Sequence, residues 1–190
     1  MSTNCRCFDR SVSVSRGQEL QSRPSSECYE VAVQSQDYKF SCAHFVAFKG
    51  YRERLHGHNY TASLRVSGPL GDDGYVIDFG DLKKALRVLC KEMNEFLIVP
   101  EKSDVLQLNC NDKTIEIKCE DGATFCLPRA DCLLLPIVHS TAEEIAAYMW
   151  QTLCARMGDA LRKRQVEWME IVVAERPTQE ARYCRLLPQD

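Results

Sequence analysis

Between Asn59 and Val66 the sequence alternates without a break, with Tyr60, Ala62, Leu64 and Val66 on one side and Thr61, Ser63 and Arg65 on the other. A side-chain period of two is a strand buried on one face. Such a strand belongs in an antiparallel sheet whose apolar face is covered by something else. Directly ahead of it stands His56-Gly57-His58. The same alternation puts both imidazoles on one side of the backbone. The feature that fixes the sheet therefore also places a pair of metal-ligand side chains at its end.

The rest of the chain is read around that strand. Tyr29 to Val33 and Tyr38 to Phe45 are strand-like. Ser67-Gly68-Pro69 and Gly71-Asp72-Asp73-Gly74 are turn chemistry, and a short strand is expected at Tyr75 to Ile77. Asp78 is placed to cap a helix whose stripe is Leu82, Ala85, Leu86, Leu89, Cys90, Met93 and Phe96. Pro100 is expected to end that helix. Short strands are expected at Val105 to Leu108, Thr114 to Lys118, Thr124 to Leu127 and Cys132 to Leu135, so that residues 104–135 form an inserted β-hairpin region. A second helix opens at Ser140-Thr141, with Glu143 and Glu144 near the position of a capping-box acid, and carries the stripe Ile145, Tyr148, Met149, Thr152, Leu153 and Met157. Strands at Trp168 to Glu175 and Arg182 to Leu186 close the pattern. The order is two strands, helix, insertion, helix, two strands, an α+β domain with helices on one face of the sheet.

Residues 1–27 hold seven serines, four arginines and no hydrophobic periodicity, and are expected to be a disordered tail ahead of a domain over 28–190. The net charge of −3 argues against a general nucleic-acid binder, and no apolar run reaches membrane-spanning length. Eleven cysteines are present, an odd number with no CxxC pair and no apolar leader in front. They read as small core hydrophobes in a reducing compartment, and a cytoplasmic location is expected. Organellar targeting is disfavoured by Asp9, Glu19 and Glu27.

The four histidines carry the chemistry. His44 ends the strand before His56 and His58. If the two strands pair, three neutral imidazoles converge and leave one coordination position open, the donor set of a catalytic zinc site. The competing reading is a pair of exposed strand histidines.

Phe40-Ser41-Cys42-Ala43-His44, His56-Gly57-His58-Asn59-Tyr60 and Val76-Ile77-Asp78-Phe79 with Leu82-Lys83 resemble the 6-pyruvoyl-tetrahydropterin synthase family, which includes the 6-carboxytetrahydropterin synthases. The resemblance runs over roughly residues 38–186. It implies the T-fold, a four-stranded antiparallel sheet with two helices on one face. Subunits of that fold join their sheets into barrels, giving a homo-oligomer that is a trimer or a dimer of trimers. It further implies zinc on His44, His56 and His58. The implied substrate is 7,8-dihydroneopterin triphosphate, taken by a lyase of tetrahydrobiopterin or folate biosynthesis. Glu175 stands at the position of the family's pterin-gripping glutamate, and Glu143 at another position near the pterin pocket.

The sequence departs from the family pattern twice. Four residues before His56, where typical members have a catalytic cysteine, stands Arg52, and its neighbour is Glu53. This is similar to the type III variant, in which a glutamate replaces the cysteine, and Glu53 is the base candidate. At the end of the first helix Asn94 and Glu95 replace the family's Asp-His pair, and Glu95 is a candidate second proton carrier. Lys49, Arg52, Arg54 and Arg65 are expected to gather near the zinc motif and meet the triphosphate. Loss of both the cysteine and the Asp-His pair leaves open a zinc- and pterin-binding protein without catalysis.

Overall fold

The computed structural model describes residues 27–188. The expected tail falls, all but its last residue, outside them. Strand β1 (Tyr29–His44) and strand β4 (His56–Gly68) pair antiparallel, with Cys42 opposite His58 and His44 opposite His56. The two strands expected at 29–33 and 38–45 are thus one. They are joined through a bulge in which Gln34 to Lys39 of β1 faces only Ser63 to Thr61 of β4. The extra residues reverse the parity, so Val33 and Tyr38, five apart, face the same core. Between β1 and β4 the chain makes a small ribbon of β2 (Ala47–Phe48) and β3 (Tyr51–Arg52).

Helix α1 (Phe79–Glu92) is capped by Asp78, whose carboxylate accepts from the Gly80 N–H at 2.6 Å. Tyr75 to Ile77 is a bend rather than the expected strand, although Val76 and Ile77 are buried. The apolar stripe also overstates the helix. It stops at Met93, and Glu95, with φ of +66°, turns the chain into strand β5 (Phe96–Pro100). Asn94 and Glu95 dock on β1 there. The Asn94 side-chain oxygen accepts from the Ser41 N–H at 2.8 Å, and the Glu95 N–H donates to the Ser41 carbonyl at 2.7 Å. Pro100 ends a strand, not a helix.

The insertion divides in two. Strands β6 (Leu106–Cys110), β7 (Thr114–Cys119) and β8 (Thr124–Pro128) form a separate antiparallel meander. Strand β9 (Cys132–Leu135) instead returns to the main sheet, parallel to β5. Helix α2 (Ala142–Lys163) follows, then β10 (Trp168–Arg176) and β11 (Gln179–Leu186). The main sheet has the order β11-β10-β4-β1-β5-β9. Its first four strands are the expected antiparallel sheet, and β5 and β9 extend it in parallel.

Two cores result. The larger lies between the sheet and both helices, and includes Phe40, Tyr60, Leu64, Leu86, Leu89, Met149, Leu153 and Ile171. Burying each such side chain contributes about 1.5–3 kcal/mol. The smaller joins Phe45, Ala47, Leu97 and Val99 to the meander through Ile115 and Ile117. Four cysteines, Cys42, Cys90, Cys119 and Cys132, are packed into these cores. Among the described residues no helix is long and apolar enough to cross a membrane.

Candidate metal centre

The helix-covered faces of three neighbouring strands turn polar at the same end. On β1, Tyr38, Phe40 and Cys42 lead to His44. On β4, Ala62 and Tyr60 lead to His58 and His56. On β10, Met169, Ile171 and Val173 lead to Glu175. Direct pairing of His44 with His56 makes the imidazoles converge, because residues opposite each other in a sheet share a face. Ring centroids of the three histidines lie 4.7, 4.9 and 5.1 Å apart. One ligand atom from each falls within 4.8 Å of the others.

The hydrogen bonds select the tautomers. His44 Nδ1 is 2.7 Å from the Ser140 carbonyl and His56 Nδ1 is 2.8 Å from the Arg54 carbonyl. A carbonyl only accepts, so both Nδ1 atoms carry the proton and both Nε2 lone pairs are left for a metal. His44 is 2% exposed, and burial lowers its pKa, outweighing the Ser140 bond that raises it. The imidazole is held neutral, the form that ligates. These two nitrogens and one of His58, brought to about 2.0–2.1 Å from an ion, fit zinc with one position open. The donor set suits the ion that the sequence implied.

Tyr60 is the residue that sequence reasoning missed. Its hydroxyl donates to Glu175 Oε1 at 3.1 Å and stands 3.2 Å from His44 Nε2. Burial, then the Glu175 charge, raises its pKa, so the phenol stays a donor. Parity with His56 and His58 was the available signal. Glu175 Oε1 also lies 4.0 Å from His58 Nε2.

These groups open on a cavity of about 380 Å³, lined among others by the three histidines, Glu53, Glu143, Glu175 and Glu180. Glu53 is fastened to the ribbon root. Its Oε2 accepts from the Val46 N–H at 3.0 Å, and its own N–H donates to the Val46 carbonyl at 2.9 Å. At the start of α2, Thr141 is the cap, and Glu144 turns back to accept from the N–H groups of Val138 and His139 at 2.7 and 3.1 Å. Glu144 therefore holds the loop, and Glu143 is the acid on the cavity wall. Glu95 is exposed in its turn and does not line this cavity.

One sequence expectation about the surroundings changes. Among the described residues no lysine or arginine lines the cavity. Arg52 is paired with Asp121 at 2.8 Å, and Arg65 with Glu30 at 3.0 Å and Glu170 at 3.7 Å. The expected cationic group is dispersed because these side chains have carboxylate partners elsewhere. Among the described residues no cysteine lines the cavity either. Cys42, opposite His58, has its thiol pushed up to about 12 by burial and then by Glu175, so it stays protonated.

The comparisons agree with this geometry. The 6-pyruvoyl tetrahydropterin synthase family model matches residues 34–185. A curated relative from Methanocaldococcus jannaschii, a putative 6-carboxy-5,6,7,8-tetrahydropterin synthase, is 31% identical over 150 residues, covering 78% of this chain and 91% of the relative. The solved 6-pyruvoyl tetrahydropterin synthase of Plasmodium vivax is 42% identical with a TM-score of 0.82, covering 85% of this chain and 99% of that one. Its Plasmodium falciparum counterpart is 43% identical with a TM-score of 0.81, covering 84% and 98%. Two further P. vivax structures replace a residue described as catalytic, a glutamate, with alanine and with cysteine. From the matched span, the sheet with its two helices and the histidine triad, the chain belongs to the 6-pyruvoyl tetrahydropterin synthase family.

Proposed function

We propose that the protein is a zinc-dependent pterin lyase acting on 7,8-dihydroneopterin triphosphate, with Glu53 in the role that a thiol fills in typical members. The observation that carries this reading is one cavity shared by Glu53, Glu175 and the three histidines. Bound zinc would polarise the hydroxyls of the substrate side chain and make the adjoining protons acidic. The protein residues supply the rest. Glu175 accepts two N–H donors from the guanidine-like edge of the pterin, and the Tyr60 hydroxyl orients its carboxylate. Glu143 adds a second acid on the pterin side. Glu53, fixed by the Val46 N–H, takes the side-chain proton. Among the described residues four carboxylates and no lysine or arginine line the cavity, so the pterin enters it and the triphosphate remains at the mouth.

The product is where Glu53 matters. Elimination of triphosphate gives 6-pyruvoyltetrahydropterin. Cleavage of the side chain gives 6-hydroxymethyl-7,8-dihydropterin, a folate precursor. The absence of cysteine from the described lining favours the second outcome beside the first, and the catalytic glutamate of the P. vivax relative supports a carboxylate in this role. A homo-oligomer, a trimer or a dimer of trimers, suits the open edge at β11, where Leu186 is 75% exposed. Glu95, outside the cavity of its own chain, would act as second proton carrier only across such a contact.

The test is to incubate zinc-loaded protein with 7,8-dihydroneopterin triphosphate and identify products by mass spectrometry. A pyruvoyl or hydroxymethyl pterin supports the lyase and chooses the reaction. Bound but unchanged substrate would mean a pterin-binding protein. Glu53→Gln should abolish turnover and keep zinc; near-normal turnover removes Glu53 from the mechanism.

A further inference from the structure

We propose that Arg52 and Asp121 form a positioning clamp through which the inserted meander holds Glu53 at the histidine cavity. The inference rests on the reading of Glu53 as the base.

The ribbon that delivers Glu53 has only two residues in each strand. A two-stranded ribbon of that length has no stability of its own. Its root is fixed from the helix side, where the Ser140 hydroxyl donates to the Phe45 carbonyl at 2.8 Å and His139 Nδ1 bonds the Ala47 carbonyl at 2.9 Å. Among the described residues its far end is fixed by the insertion. The Gly50 N–H donates to Glu120 Oε2 at 3.1 Å. Arg52 Nε donates to Asp121 Oδ2 at 2.8 Å, while Nη1 of the same guanidinium donates to the Glu53 carbonyl at 2.9 Å. Asp121 is in turn held by its own turn, where Oδ1 accepts from the Ala123 N–H at 3.0 Å and Gly122 sits at φ +82°. The guanidinium lies over Phe125, 5.7 Å from the ring centroid. One planar fork thus ties the backbone of the base residue to a rigid turn in another sheet. A lysine ammonium, a compact point charge, does not reproduce that fork.

The stability contribution is small, since exposed ion pairs are worth little. Placement is a different matter, because an error of about 1 Å in a reacting group costs roughly 100-fold in rate. Catalysis and stability should therefore separate.

The test measures zinc content, thermal midpoint, kcat and KM on the full chain for wild type, Asp121→Asn, Arg52→Lys, the double variant, Asp121→Glu and Glu53→Gln. Asp121→Asn and Arg52→Lys are each expected to lower kcat roughly 10- to 100-fold with KM within about threefold. The double variant should be no worse than the poorer single one, and Asp121→Glu should recover most of the rate. Zinc content and midpoint should stay near wild type. Wild-type kcat in both single variants, beside an inactive Glu53→Gln, overturns the clamp and leaves the base assignment standing. An active Glu53→Gln overturns the base assignment itself. A kcat loss that follows a lowered midpoint in both single variants would make the pair structural and also overturn the proposal.

Discussion

Replacing Tyr60 by phenylalanine deletes one oxygen from a side chain that is 0% exposed and stacked on Phe40 at 5.1 Å. No cavity larger than that atom is left, so the change reports on the hydroxyl. That hydroxyl has one proton and two acceptors, Glu175 Oε1 at 3.1 Å and His44 Nε2 at 3.2 Å. Since His44 Nδ1 is already committed to the Ser140 carbonyl, a metal on Nε2 leaves Glu175 as the only taker. A hydrogen bond to a charged group is worth about 1.5–3 kcal/mol. For folding the figure must be discounted, because the Glu175 side chain is 26% exposed and water replaces part of the bond. A loss of about 1 kcal/mol is expected, lowering the midpoint by roughly 2–4 °C. On the proposed mechanism the carboxylate must be aimed at the pterin, and the full range translates to a fall in kcat/KM of roughly 10- to 150-fold. The assay is steady-state turnover with zinc content and thermal midpoint measured on the same preparations. A kcat/KM within threefold of wild type would refute the role of Tyr60 in orienting Glu175. Loss of zinc without loss of pterin affinity would place the phenol with the metal instead.

Three further outcomes follow from the structure. His44→Ala should abolish stoichiometric zinc binding, measured by dialysis and metal analysis, because a ligand atom of His44 lies within 4.8 Å of one on each of the other two imidazoles. Asp73 is held down to about 2, chiefly by its hydrogen bonds from Arg164 at 2.6 and 2.8 Å. Its depressed pKa contributes stability that is full above about pH 4 and fades as pH falls towards 2. Asp73→Asn should therefore show a lower midpoint at neutral pH, a gap that closes in acid and shrinks with salt. Ile117→Ala, at a site 1% exposed in the smaller core, should cost about 2–5 kcal/mol, with hydrogen-exchange protection lost first in β6 to β8.

What the sequence made legible was whatever a short period could show. The alternation from Asn59 to Val66 gave β4 its faces, and running it backwards put His58 and His56 on the buried side. Running it along Trp168 to Glu175 put Glu175 there too. Strand β1 was split because three extra residues at its bulge break the period, and no local signal says that the strand resumes. Phe96 to Val99 was misread because a short apolar run has no period of its own to separate strand from helix. The turn before it uses Glu95 at φ +66°, where glycine or asparagine is usual, so the ordinary stop signal is missing. The pairing of β5 with β9 spans some thirty residues of insertion and has no local mark. The cationic cluster failed for another reason. Nearness in sequence put Arg52 and Arg65 beside the histidines, but seven residues of strand carry Arg65 roughly 23 Å beyond His58.

The position of the site follows from how the sheet is covered. Three strands present apolar side chains to the helices along most of their length, and at one end each substitutes a polar one, His44, the His56 and His58 pair, and Glu175. Those groups lie at the edge of the core, dry enough to hold His44 neutral and open enough to admit a ligand. Among the described residues the cavity has carboxylates at Glu53, Glu143, Glu175 and Glu180, and no lysine or arginine. The electrostatic complement must come from the N–H groups at the start of α2, from a cation on the three imidazoles, and from the donors of the ligand. A pterin edge rich in N–H groups meets that demand, and a triphosphate placed among the same carboxylates does not. Arg52 completes the same balance. Its guanidinium is paired with Asp121 and bonds only the backbone carbonyl of Glu53, so its charge is not set against the carboxylate that the proposed mechanism uses.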